Sequence, residues 1–222
     1  MSGISSYLAG WMAGKGIDVT VLDGANGFDP YMVSSLARKT VIPPEKLLKK
    51  IRIARAFTCY QMATLVERLE LLLHRERAAQ PEFLPPSSRR LPAGQERGAV
   101  GVILLGPITT FLDEDVPERE VEPLFERTLK KIEAMAAERV PFFLFQSCGN
   151  PRFYPFAKGG RGAQGSKRAH LMERLSQFSS LIWKVSLEAD GPKLALQKGL
   201  KNAGCRGPAV GDSRADWNLK CV

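Results

Sequence analysis

The chain has 222 residues, 44% of them hydrophobic and 25% charged, which is enough apolar material for a full core and excludes a disordered polypeptide. No apolar run approaches the roughly 18 residues of a membrane span, and the N-terminus lacks the basic-then-apolar order of a secretory leader, so a cytoplasmic protein without a membrane partner is expected. The net charge is +9, and residues 147–222 hold 13 Lys and Arg against 5 Asp and Glu while residues 1–146 hold 19 against 18, so an anionic partner, nucleic acid first, is expected at the C-terminal third.

In chain order, Tyr7, Leu8, Trp11 and Met12 stand at helical spacing, and Gly14-Lys15-Gly16 ends that helix. The run at 19–22, VTVL, is a strand that opens into a loop at Asp23, Gly24, Asn26 and Gly27. Asp29 and Pro30 supply an N-cap and a first-turn proline for a helix through Met32, Val33 and Leu36, and Pro43-Pro44-Glu45 opens a short helix to Lys50. Residues 51–57, IRIARAF, read as a strand with one face covered. Thr58 then caps a long helix with Met62, Leu65, Val66, Leu69, Leu72 and Leu73 on one stripe. Prolines at 81, 85, 86 and 92 mark 75–97 as a mobile surface insertion.

Residues 99–105, AVGVILL, have the unbroken apolar character of a central strand buried on both faces. The acidic stretch 113–122 leads into an amphipathic helix ending near Arg139, with acidic first-turn residues that are ordinary helix chemistry. Residues 141–145, PFFLF, read as another buried strand, and 147–166 as a long basic, glycine-rich loop. A helix over 171–178 precedes a hairpin, 181–187 with 193–197, about Asp190-Gly191. The expected organisation is one core over residues 1–198 and a basic tail over 199–222. The fold class is α/β, with a mostly parallel sheet and an antiparallel edge. The cysteines, Cys59, Cys148, Cys205 and Cys221, lack CxxC spacing and the histidines are only His74 and His170, so structural thiols are expected rather than zinc ligands or disulfides.

The run IRIARAFTCYQMATLVERL at 51–69 has VTVLDGANGFDP before it and AVGVILLGPITTF, PFFLFQS and a basic glycine-rich loop after it. In that order these segments resemble the RecA/RadA recombinase family of P-loop ATPases over most of the chain. The resemblance implies a RecA-like three-layer αβα domain with a C-terminal antiparallel hairpin, a site for ATP and magnesium, and a loop that contacts DNA.

Three departures bear on that site. Gly3-Ile4-Ser5 stands where the family has GK(S/T), so Ile4 replaces the phosphate-binding lysine and the chain is expected to be N-terminally truncated relative to the family. Ala25 stands where the family has the glutamate that polarises water, and the strand 99–105 ends in Gly106-Pro107 rather than in the magnesium-linked aspartate. Phosphoryl transfer rests on positioned charge, so a pseudo-ATPase with no catalytic residue of its own is expected, and whether ATP or magnesium still binds stays open. Gly3, Ser5, Asp23 and Gln146 are the remnant of the nucleotide site. Asp23 is equally a turn former. Gln146 matches the family's γ-phosphate-sensing glutamine and is read here as a hydrogen-bonded strand-end residue.

Arg152, Lys158, Arg161, Lys167 and Arg168, among glycines and near Phe153, Tyr154 and Phe156, are the expected contacts to DNA, single-stranded first. The expected function is a DNA-binding recombination or repair accessory, pairing with a RecA-like homologue or a repair polymerase. Two alternatives stand beside it: an active DNA-dependent ATPase whose start lies upstream, and a protein-interaction scaffold of a repair complex. Cys59, at a helix start, is read as structural.

Overall fold

The β-branched run after Gly16 forms strand β1 (Asp18–Asp23), and β2 (Ile51–Arg55), β3 (Val100–Leu105) and β4 (Phe142–Phe145) line up parallel to it in the order β2-β1-β3-β4. The computed structural model describes residues 2–78, 99–113, 116–147, 168–188 and 191–199. Val21 stands opposite Ile53 on one side and Ile103 on the other, and Ile103 opposite Phe143. The chain divides into two compact units, one up to Met172 and one from Glu173.

In the first unit the pleat sorts side chains to two covered faces. Val19, Val21, Ile103 and Leu105 cluster with Ala9, Met12 and Ala13 of α1 (Ser2–Gly14), Val33 and Ala37 of α2 (Pro30–Lys39) and Leu47 of α3 (Pro44–Leu48). Leu104, on the other face, meets Met62 and Val66 of α4 (Cys59–Ala78) and Phe125, Leu129 and Ile132 of α5 (Glu118–Ala137). Phe111, in a short 3-10 turn at Thr109–Leu112, packs edge-on against Phe125 at 5.2 Å between ring centres. The α/β expectation therefore holds, with helices on both faces of a parallel sheet.

Local chemistry sets the helix starts. Asp29 Oδ1 accepts from Tyr31 N at 2.8 Å with Pro30 in the first turn of α2. At α4, Thr58 Oγ1 accepts from Gln61 N and Gln61 Oε1 accepts from Phe57 N, so two orphan donors are satisfied reciprocally. The crossovers give the sheet two unlike rims. The starts of α2, α4 and α5 follow the C-terminal ends of strands, and α1, which runs down into β1, also begins on that side.

Four expectations are corrected. The 141–145 run is only half-buried rather than buried, because β4 is the last strand in the sheet order and has β3 as its one partner among the described residues. Strand β2 stops at Arg55, where Ala56 N turns to Asp23 O at 3.0 Å, and Phe57 is left 67% exposed. Residues 75–78, expected in the insertion, continue α4, and 79–98 lie outside the described residues. The hairpin is not an edge of the main sheet but a two-stranded sheet of its own.

That hairpin belongs to the second unit. Strands β5 (Ile182–Glu188) and β6 (Gly191–Lys198) pair antiparallel with Lys184 opposite Ala195 and Trp183 opposite Leu196. Within the unit, Lys198 Nζ donates to Ser176 O and Gln177 O at 3.0 and 2.9 Å, on the end of α6 (Ala169–Phe178). Of the tail at 199–222, only Gly199 is among the described residues. No helix among the described residues is long and apolar enough to cross a membrane.

Candidate functional site

Ligands of parallel α/β sheets bind beyond the C-terminal ends of the strands, so the loops there are where chemistry is sought. At the end of β1, Asp23 is fully buried. Its Oδ1 accepts from Ala25 N at 3.2 Å and from Gly27 N at 3.0 Å, and its Oδ2 accepts from Phe28 N at 3.0 Å. Asn26 supplies the left-handed residue of the turn, with φ of 50°. Arg55 Nε stands 3.8 Å from Oδ2, but its side chain is half exposed, so solvent screens most of that attraction. The carboxylate is the organiser of its own loop.

The loop is sewn to its neighbours. Asp29 N donates to Ser6 Oγ of α1 at 2.9 Å, Gly24 N to Leu105 O at 2.8 Å, and Gly106 N to Phe145 O at 2.7 Å. Gly106 has φ of +58°, and a Cβ there would fall 2.5 Å from Thr109 Oγ1 and 2.7 Å from Ala25 Cβ. A Cβ on Gly24 would stand 2.7 Å from Met62 Cε and 3.0 Å from Gly106 O. The ends of β1 and β3 therefore touch through glycine and alanine, with no space between them for a longer side chain. One buried side-chain atom in this packing, Thr110 Oγ1, has no hydrogen-bond partner among the described residues.

The sequence-selected residues fall out as follows. Gln146 lies at the end of β4 and its Oε1 accepts from Ile108 N at 3.1 Å, the strand-end role expected of it. Gly3 lies in α1, where an added Cβ would stand 3.7 Å from Met32 Cε of α2, and Ser5 is fully buried. Asp23 and Gln146 thus sit at the ends of β1 and β4, on either side of β3 and its Gly106, and Ser6 ties α1 to the loop after β1. Arg152, Lys158, Arg161 and Lys167 lie outside the described residues. Arg168 is buried, with Nη1 donating to Phe111 O at 2.7 Å and to Asp113 O, and Nη2 donating to Val116 O at 2.5 Å. Its guanidinium holds the segment after β3 and is not presented to a phosphate.

Further side chains on this rim escaped the sequence reading. Tyr60, at the start of α4, donates its phenol to Glu120 Oε2 of α5 at 2.5 Å, and that carboxylate holds the phenol above its ordinary pKa. The signal for such a pair is long-range and has no local motif. Cys59 is fully buried and burial pushes its thiol up, so it is protonated and inert at neutral pH, in line with a structural role. Among the described residues no three His, Cys, Asp or Glu side chains are gathered closely enough to hold a metal ion. A recess lined by Met62, Val66, Leu104, Phe111 and Phe125 offers about 10 Å³, room for one water in an apolar wall.

The described residues at these strand ends do not fit a bound ATP and magnesium. The start of α1 offers Ile4 and a buried Ser5, with no cation before Lys15 beyond its far end, and both oxygens of Asp23 are occupied. No family model matches the chain, and no curated protein matches it.

Proposed function

We propose that the chain is a RecA-like domain that has given up ATP hydrolysis and serves as a DNA-binding accessory in recombination or repair. The observation that carries this reading is the contact of Ala25 with Gly106. On the alignment of segments these are the positions of the water-polarising glutamate and the magnesium-linked aspartate, and here they are packed together without charge. Hydrolysis of a phosphoanhydride depends on charge placed around phosphate and metal. A rim closed by small residues supports loss of that chemistry while the scaffold is kept.

Binding to DNA rests on the composition of 149–168, where Arg152, Lys158, Arg161 and Lys167 alternate with glycines. Arg168 drops out of that set because its guanidinium is committed to three carbonyls. A RecA-like homologue or a repair polymerase is the protein partner this reading favours.

Two measurements test it. Purified chain with ATP and magnesium should release phosphate at the rate of a buffer control, and turnover well above that control would favour the active-ATPase alternative. A labelled single-stranded oligonucleotide should bind with an affinity that falls about tenfold or more between 50 and 200 mM salt. Arg161→Glu with Lys167→Glu should abolish the binding. Absence of any binding by the unsubstituted chain would leave the scaffold reading.

A further inference from the structure

The N-terminal ends of the strands carry a surface of a different kind. Residues 38–52 contain six Lys and Arg with Glu45 as the sole acid, a concentration hidden in the near-neutral count for residues 1–146. The fold gathers these cations at one corner. A Cβ on Gly14, at the end of α1, would lie 3.8 Å from Leu47 Cδ2 of α3 and 3.9 Å from Ile42 Cδ1, so the ends of α1, α2 and α3 meet there. Lys50 is built into the corner, its Nζ donating to Gly16 O at 3.1 Å and pairing with Asp18 at 3.2 Å. Arg38, Lys39, Lys46 and Lys49 are exposed, and none of them enters an ion pair among the described residues.

The ordinary explanation covers part of this. Arg38 and Lys39 complement the C-terminal end of the α2 dipole. A five-residue helix has little dipole to complement, so Lys46 and Lys49 are left without that account. The apolar residues beside them point inward, with Leu47 buried and Leu48 and Ile42 half-buried, and only Val41 stands out in solvent. The surface therefore has cations around the single outward Val41, with Trp11 of α1 exposed nearby under Lys15, and no broad apolar face among the described residues.

We infer that this rim is a second polyanion-binding surface, on which Arg38, Lys39, Lys46 and Lys49 contact the phosphate backbone of a nucleic acid without reading its bases. The choice of nucleic acid rests on the proposed function, while the surface itself is independent of the loop at 149–168. A protein partner would call for an apolar or aromatic centre, with lysine depleted. A lipid surface would call for a broad outward apolar face, which α3 lacks. Long, mobile cations around a backbone are what sequence-independent phosphate contact needs.

The test uses the full chain and a labelled mixed-sequence DNA duplex, with affinity followed from 50 to 300 mM salt. Each phosphate contact contributes about 0.9 to the slope of log affinity against log salt. Replacing Arg38, Lys39, Lys46 and Lys49 together by Gln should lower that slope by about 3.6 and the affinity at 50 mM salt by about tenfold or more. Lys46→Gln with Lys49→Gln alone should lower the slope by about half as much, which keeps the question answerable if the fourfold variant fails to fold. Lys46→Arg with Lys49→Arg should bind like the unsubstituted chain. Unchanged slope and affinity in the Gln variants overturn the inference. So does binding to phosphatidylserine vesicles or to polyglutamate as tight as to the duplex. Arg161→Glu with Lys167→Glu, measured in parallel, separates the two surfaces. Loss of binding there with the rim variants unaffected rejects the rim and keeps the loop, and the reverse result rejects the loop and keeps the rim.

Discussion

Asp23 and Lys46 are charged residues beside the same parallel sheet, one at its C-terminal rim and one at its N-terminal rim, and the fold treats them in opposite ways. Asp23 has no exposed surface and accepts three backbone N–H groups. Around it Gln146, Arg168, Ser6 and Glu120 are each engaged by a backbone group or a neighbouring side chain. Lys46 is exposed and has no ion pair among the described residues, as is the case for Arg38, Lys39 and Lys49. The contrast teaches that the position of a rim in a fold class does not decide where binding resides. A rim whose charged groups are engaged internally is a structural element, and one whose charges are left over is available to a ligand.

The contrast is broken or sharpened first by stability. Asp23→Ala leaves three loop N–H groups without an acceptor, one of them buried, and should cost about 3 kcal/mol in denaturant unfolding. Gly106→Ala places a methyl into Ala25 and Thr109 at a left-handed φ and should cost about 2 kcal/mol, read as a lowered unfolding midpoint with unchanged slope. Lys46→Ala and Lys49→Ala should each stay within about 0.5 kcal/mol of the parent. A cost at Lys46 comparable to that at Asp23 would mean that the N-terminal rim is also structural, and the distinction between the rims would fall.

Alkaline pH sharpens it more gently. Cys59 is held protonated by burial, so its folded pKa lies above the unfolded value. Stability is then full below the ordinary thiol range, about 8.5, and declines as pH rises through that value, because the unfolded thiol ionises first. Cys59→Ala should flatten that decline in unfolding measurements between about pH 8 and 10. Tyr60 is raised by its hydrogen bond to Glu120, so the contact is present below the phenol's ordinary range and is lost as pH climbs through the elevated pKa. Glu120→Gln should move the Tyr60 transition to lower pH in an ultraviolet titration. An unmoved transition would mean that Tyr60 and Glu120 are not engaged in solution.

Much of the α/β organisation was legible because its signals are local. The β-branched run at 19–22, the unbroken apolar run at 99–105 and the Asp29-Pro30 and Thr58 helix starts each name their element within a few residues. The half-burial of 142–145 was not, since PFFLF has the composition of a central strand and nothing within it states that β4 comes last in the sheet. Nor was the fate of Arg168. A cation beside a glycine-rich run reads as a phosphate contact, and only the carbonyls of Phe111, Asp113 and Val116, more than fifty residues away in sequence, show it turned inward. The turn-forming role of Asp23 could be read from the small and left-handed-tolerant residues that follow it. The cationic corner could not, because the acidic stretch at 113–122 cancels it in any count taken over the first two thirds of the chain.

Strand β2 has one further consequence, for how the molecule behaves in a crowded solution. It pairs with β1 alone among the described residues, leaving a row of backbone donors and acceptors on its other side, and Ile53 is 42% exposed on it. Such an edge is a template for sheet growth between molecules. Arg52 and Arg55, both exposed, flank Ile53 and act as gatekeepers, because two copies approaching edge to edge would bring like charges together. Salt that screens those charges should therefore raise light scattering on mild heating before the fold is lost, and Arg52→Ser should do the same at low salt.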